Sequence, residues 1–246
     1  MLVTALITCH SRELALICLR SLVRHAPTIQ RVTVSTHTSC RWMPPELASH
    51  GQLHVLQPPG GAANHAAALA HARRMYRAKL RQSDIVLLLD DDVVILDDDF
   101  GMFLLGAFDG NTGAWGAAGI RDPLHPSCLA FRRELFDRVT TFASALPKHD
   151  TTGLAQAEIQ AWGYRLEAVP RVVASAGWED FTLGPPVGNV GADEILWSHL
   201  GGGVIHAPVS PLRRVWRHLK AAGGSAAARD LIRKARMREQ WIETYG

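Results

Sequence analysis

The chain has 246 residues, of which 47% are hydrophobic and 20% charged, and a formal net charge of +3; this suits one large α/β domain, or one domain with a small appendage, built on a real core, and excludes a disordered or fibrous protein. Four cysteines at 9, 18, 40 and 128 form no C-x-x-C pair, so they read as free thiols of a reducing compartment rather than a disulfide or zinc framework. No run approaches 18 apolar residues, which excludes a spanning helix. The apolar start Met1 to Thr8 lacks a basic leader and reads as a first strand, so the expected location is cytoplasmic.

In chain order, Leu2 to Thr8 is a strand, followed by a helix carrying Leu14, Ile17, Cys18 and Leu22 at helical spacing, with Pro27 beyond its end. Val32 to Ser35 and Leu53 to Leu56 are further strands, the latter ended by Pro58-Pro59-Gly60-Gly61. A helix is predicted from about Ala62 to Arg81, with Leu69, Ala72, Tyr76 and Leu80 on one face. The uninterrupted run Ile85 to Leu89 fits a central strand buried on both faces. Alternating strands and helices imply right-handed crossovers and a doubly wound sheet.

The second half is less regular. Ala114 to Ile120 and Ser127 to Phe131 are predicted strands, Arg132 to Val139 and Thr151 to Trp162 helices, and Tyr164 to Val169 and Arg171 to Ser175 extended segments. Gly184 to Gly191 is a loop long enough to be functional. From Arg213 to Arg238 there are nine Lys/Arg and one acid, Asp230. Such a segment suits either a solvated surface helix or a polyanion-binding tail, with DNA or anionic lipid as partner.

Asp90, Asp91 and Asp92 close the apolar run. Adjacent carboxylates repel one another unless a cation offsets them, and hard oxygen ligands suit Mg²⁺ or Mn²⁺. Such an ion can hold a diphosphate and stabilise it as a leaving group. The blander alternative is an acidic cap on the next helix, a role open equally to Asp97 and Asp98.

The order of Thr8-Cys9-His10-Ser11-Arg12, a helix, a Gly-rich turn, a helix starting near Asn64, an apolar strand and Asp90-Asp91-Asp92 resembles the GT-A glycosyltransferases, especially family 2-like members. The resemblance covers about residues 2–175. It implies a GT-A, Rossmann-like α/β fold with a mostly parallel central sheet and flanking helices, to which the charge pattern adds a basic helical C-terminus. Residues 1–210 would form the catalytic domain, 1–100 its nucleotide-sugar half and 101–210 its acceptor half, with 211–246 an extension. The acids would be the family's DXD motif, with Asp90 or Asp91 at the donor's ribose and Asp90 and Asp92 at the metal. Thr8, His10, Arg12 and Asn64 would help hold the nucleotide, and His199 or His206 would complete the metal site. The segment Cys128 to Phe136 is similar to the strand and short helix that the family places under the acceptor site.

An inverting transfer needs a base for the acceptor hydroxyl. Asp150 is the first candidate, although it would equally cap the following helix. Glu179 and Asp180 are the reserves. Where many members carry Glu-Asp, this chain has His149-Asp150. An acid after the second strand, common in the family, is replaced by Thr36-His37-Thr38, so the nucleotide is not legible. The acceptor is a surface glycan or lipid precursor, or hydroxymethylated DNA bases as in phage enzymes. Two rivals stand beside this reading. Asp90-Asp91-Asp92-Val93-Val94 also fits the first motif of haloacid dehalogenase-like phosphatases, with Asp90 as nucleophile, although that motif normally opens its domain. A non-catalytic nucleic-acid-binding protein would use the basic tail and leave the acids without purpose.

Overall fold

The computed structural model describes residues 1–9, 11–36, 54–56, 65–75, 77–119, 122–142, 151–169, 172–173, 182–184, 196–200 and 237–246. Its elements in chain order are β1 (Val3–Cys9), α1 (Arg12–His25), β2 (Ile29–Thr36), β3 (His54–Leu56), α2 (His65–Met75), α3 (Arg77–Leu80), β4 (Ile85–Asp90), β5 (Val93–Ile95), α4 (Phe100–Ala107), β6 (Thr112–Ala118), β7 (Leu124–Arg132), α5 (Arg133–Arg138), α6 (Gly153–Ala161), β8 (Arg165–Val169), β9 (Val172–Val173), β10 (Thr182–Gly184) and β11 (Trp197–His199). A helix over 237–245, α7, follows.

Seven strands form the main sheet in the order β3-β2-β1-β4-β7-β6-β8. All neighbours pair parallel except at β7, which runs antiparallel to both β4 and β6. The expected α/β class and mostly parallel sheet are therefore present. A small antiparallel sheet, β5-β11-β10-β9, stands beside it.

The apolar run of β4 is explained by two faces with two cores. Ile85, Leu87 and Leu89 join Val3, Ala5 and Ile7 in packing against α1 and α4, through Cys18, Leu19, Leu22, Phe100 and Leu104. Val86 and Leu88 join Leu6 in packing against α2, α5 and α6, through Leu69, Ala72, Leu135, Phe136, Ala155 and Ile159. Fully burying one such side chain contributes roughly 1.5–3 kcal/mol, so a polar residue anywhere along β4 would be costly.

Two predicted helices shift in detail. The stretch expected from Ala62 to Arg81 holds α2 and α3 on either side of residue 76, and α6 begins at Gly153 with Thr152 at its N-cap. Gly163 ends that last helix at φ 85°, a left-handed conformation that glycine adopts without strain. Cys9, Cys18 and Cys128 are buried thiols outside any disulfide, while Cys40 lies outside the described residues. Among the described residues, no helix is long and apolar enough to cross a membrane.

A third core fixes the end of the chain. Met237 and Trp241, four residues apart on one face of α7, pack with Leu14 and Ile17 of α1, Val94 of β5 and Leu200 just after β11. This part of the basic C-terminus is docked rather than solvated.

Candidate functional site

The strand order turns back at β1 and β4. β2 and β3 extend to one side, β4 to the other. At such a switch point the connections leave in opposite directions and open a crevice at the carboxyl ends of the strands. Thr8 and Asp90 are register partners at that edge. The Thr8 hydroxyl donates to Asp90 Oδ1 at 3.1 Å. His65, the first residue of α2, places Nδ1 3.2 Å from the same oxygen.

The next two acids are buried, Asp91 at 1% and Asp92 at 4% exposure. They do not cap the helix that follows them in the chain: β5 comes directly after, and α4 begins after Asp99, whose N–H is received by Asp97 Oδ1 at 2.7 Å. Each of the two has its own surroundings. Asp91 Oδ2 accepts the backbone N–H of Ser11, the N-cap of α1, at 2.6 Å. A carboxylate there also meets the positive end of the helix dipole. Asp92 instead faces β11. That strand pairs antiparallel with β5, setting His199 opposite Val93. His199 Nε2 lies 3.2 Å from Asp92 Oδ1, and the Leu200 N–H donates to the Asp92 carbonyl at 3.0 Å.

β11 has only three residues, so its placement depends on packing. Trp197 is fully buried and meets Trp115 and Phe100 edge-on, with ring centroids 5.4 and 5.9 Å away. Such pairs contribute about 0.5–1.5 kcal/mol each beyond their burial. They anchor the strand that carries His199. On the other side, the ring of His125, near the start of β7, lies 5.2 Å from that of His199.

The outcome is a donor set. Asp90, Asp92 and His199 each offer one ligand atom, and these atoms lie within 4.8 Å of one another. Hard divalent cations sit about 2.0–2.6 Å from their oxygen ligands, so atoms spaced in this way could share one ion. Two carboxylates and an imidazole are a donor set able to hold a divalent cation. Beneath them Cys18 and Cys128 are wholly buried. Burial pushes both thiols well above their ordinary range; for Cys18 the charges of Asp91, Cys128, Asp92 and Asp90 add to it, and for Cys128 that of Asp90.

No protein-family model matches the chain, and no curated protein matches it in sequence. Among solved structures, a mannosyltransferase from Pyrobaculum calidifontis, in complex with GDP-Man and Mn²⁺, matches 71% of this chain and 58% of its own at 18% identity and a TM-score of 0.52. The chain has a GT-A-like fold. It spans 58% of the length of that mannosyltransferase. A 4-diphosphocytidyl-2C-methyl-D-erythritol synthase from Anaerococcus prevotii matches 69% of this chain and 86% of its own at 13% identity and a TM-score of 0.48.

Within this GT-A-like fold, Thr8, Asp90, Asp91, Asp92 and His199 converge on one edge, with Asp91 turned to Ser11 rather than into the donor set. Arg12 opens α1, its side chain outside the described residues. His10, Asn64, Asp150, Glu179, Asp180 and His206 also lie outside them. Sequence reasoning missed His65, although it follows Asn64 at the head of a helix after a Gly-rich turn, the place where a polar side chain faces the crevice. It also missed His125, which carries no local motif, gave Ser11 no role of its own, and read Arg238 only as part of the basic run.

Proposed function

We propose that this protein is a metal-dependent glycosyltransferase that moves a sugar from a nucleoside-diphosphate sugar onto an acceptor hydroxyl with inversion. What carries the reading is the convergence of Asp90, Asp92 and His199 at the switch point of a GT-A-like sheet. Asp90, Asp92 and His199 would hold Mn²⁺ or Mg²⁺, which when bound offsets the charge of the departing diphosphate. Thr8 and His65 orient Asp90 and stand where the nucleotide would lie, with His10, Arg12 and Asn64 joining them on the strength of the resemblance.

The acceptor oxygen attacks the anomeric carbon while the bond from that carbon to the diphosphate oxygen breaks. The hydroxyl proton passes to a carboxylate, for which Asp150 is the first choice and Glu179 or Asp180 the reserves. Residues 1–100 would then serve the donor, 101–210 the acceptor, and 211–246 would extend the domain; we place the enzyme in the cytoplasm. The acceptor is a surface glycan or lipid precursor, or hydroxymethylated DNA. The test is a panel of nucleotide sugars with Mn²⁺ or Mg²⁺, offered glycan, lipid-linked and hydroxymethylated-DNA acceptors. Nucleoside diphosphate released together with a glycosylated acceptor supports the reading. Turnover of none of the donors, with either ion, contradicts it.

A further inference from the structure

Arg238 is a buried cation in an unexpected place. It is 4% exposed, and it sits at the N-terminus of α1, where the helix dipole already presents positive charge. A guanidinium withdrawn from water there costs stability unless acids and acceptors surround it. Packing alone does not call for it, because Met237 and Trp241 already hold α7 on Leu14, Ile17, Val94 and Leu200.

Its partners lead to the acidic turn. Arg238 donates to Ser11 Oγ at 2.6 Å and lies 3.3 Å from Glu13 Oε2. The Ser11 hydroxyl donates onward to Glu13 at 3.0 Å. The backbone N–H of the same serine holds Asp91 at 2.6 Å. Arg238 and Asp91 therefore share one residue, the first through its hydroxyl and the second through its amide. Asp91 stands between Asp90 and Asp92, and successive Cα atoms are about 3.8 Å apart, so displacing Asp91 displaces both. The same helix touches Val94, two residues past Asp92, and Leu200, next to His199.

We propose that Arg238 is a positioning residue of the Asp90–Asp92 turn, and that α7 is thereby a working part of the metal site. The inference rests on the metal reading above. One of the nine basic residues of the C-terminal segment is thus committed inside the protein, where it cannot meet an external polyanion.

The experiment is Mn²⁺ titration of the full chain by electron paramagnetic resonance, following both free ion and the signal of bound ion. Arg238→Met should weaken Mn²⁺ binding by about tenfold or more and broaden the bound signal, as loss of a ligand-orienting partner does. Arg238→Lys should recover part of the affinity. Ile159→Val, a core change far from the site, should lower the melting temperature and leave Mn²⁺ affinity as in the wild type. Wild-type affinity in Arg238→Met, with binding abolished in Asp92→Asn, overturns the positioning role and keeps the site. Wild-type affinity in Asp92→Asn overturns the metal reading itself. Should Arg238→Met not fold, Ser11→Ala removes the hydroxyl and keeps the amide; normal Mn²⁺ affinity there overturns the proposal.

Discussion

His199 Nε2 stands 3.2 Å from Asp92 Oδ1 because a three-residue strand, β11, pairs with the three residues that follow the acids. The small sheet thus delivers an imidazole to a carboxylate remote in sequence. The first prediction follows from that delivery. His199→Ala should sharply weaken Mn²⁺ binding, and Trp197→Leu, which removes an anchor of β11 and leaves the ligands in place, should weaken it too. Titrations of both variants check this. Normal affinity in His199→Ala would remove it from the donor set.

His65 shares Asp90 Oδ1 with Thr8. His65→Ala should lower nucleoside-diphosphate affinity by about 10- to 100-fold at saturating Mn²⁺, the equivalent of one charge-assisted hydrogen bond. Calorimetry with the variant decides it, and unchanged affinity would place the nucleotide elsewhere.

The buried thiols give a chemical test. In a Cys40→Ser variant, Cys9, Cys18 and Cys128 should resist a disulfide reagent at pH 8 and react fully in denaturant. Because burial raises the Cys18 and Cys128 thiols in the folded state, their contribution to stability is complete below the unfolded value of about 8.5 and is lost as pH rises through the folded ones. Urea unfolding at pH 7 and 9.5 should show lower stability at the higher pH. Rapid native labelling of all three would contradict the packing described.

Gln156 is fully buried and acts as a strand partner for one residue. Its Nε2 donates to the Leu124 carbonyl and its Oε1 accepts the Leu124 N–H, both at 2.8 Å. Gln156→Leu strands a buried donor and acceptor, so it should destabilise the protein by about 2–4 kcal/mol. Chemical denaturation measures this, and a loss under about 0.5 kcal/mol would contradict the bonding.

What the sequence made legible follows from physics that is local. Ile85 to Leu89 announced a strand buried on both sides, and three adjacent acids announced where its polar edge lay. His199 was readable only as one candidate among twelve histidines. Its own strand, β11, is three residues long, and pairing with β5 and β10 rather than its own sequence pattern forms it. The Arg238 to Ser11 contact was not readable at all, since a basic run looks solvated until its apolar companions, Met237 and Trp241, are seen to dock. Likewise the acids looked capable of capping the next helix; the turn into β5 excludes that, and Asp91 instead receives the Ser11 amide that opens α1.

The central claim is that Asp90, Asp92 and His199 hold a divalent cation that receives a nucleoside diphosphate. It is tested most directly by calorimetric titration of the wild type and Asp92→Asn with a panel of nucleoside diphosphates, in Mn²⁺ and in chelator. The account predicts that at least one nucleotide binds the wild type in Mn²⁺, and that binding disappears both in chelator and in the folded Asp92→Asn protein. Equal nucleotide affinity with and without metal, or in the wild type and the variant, would contradict it.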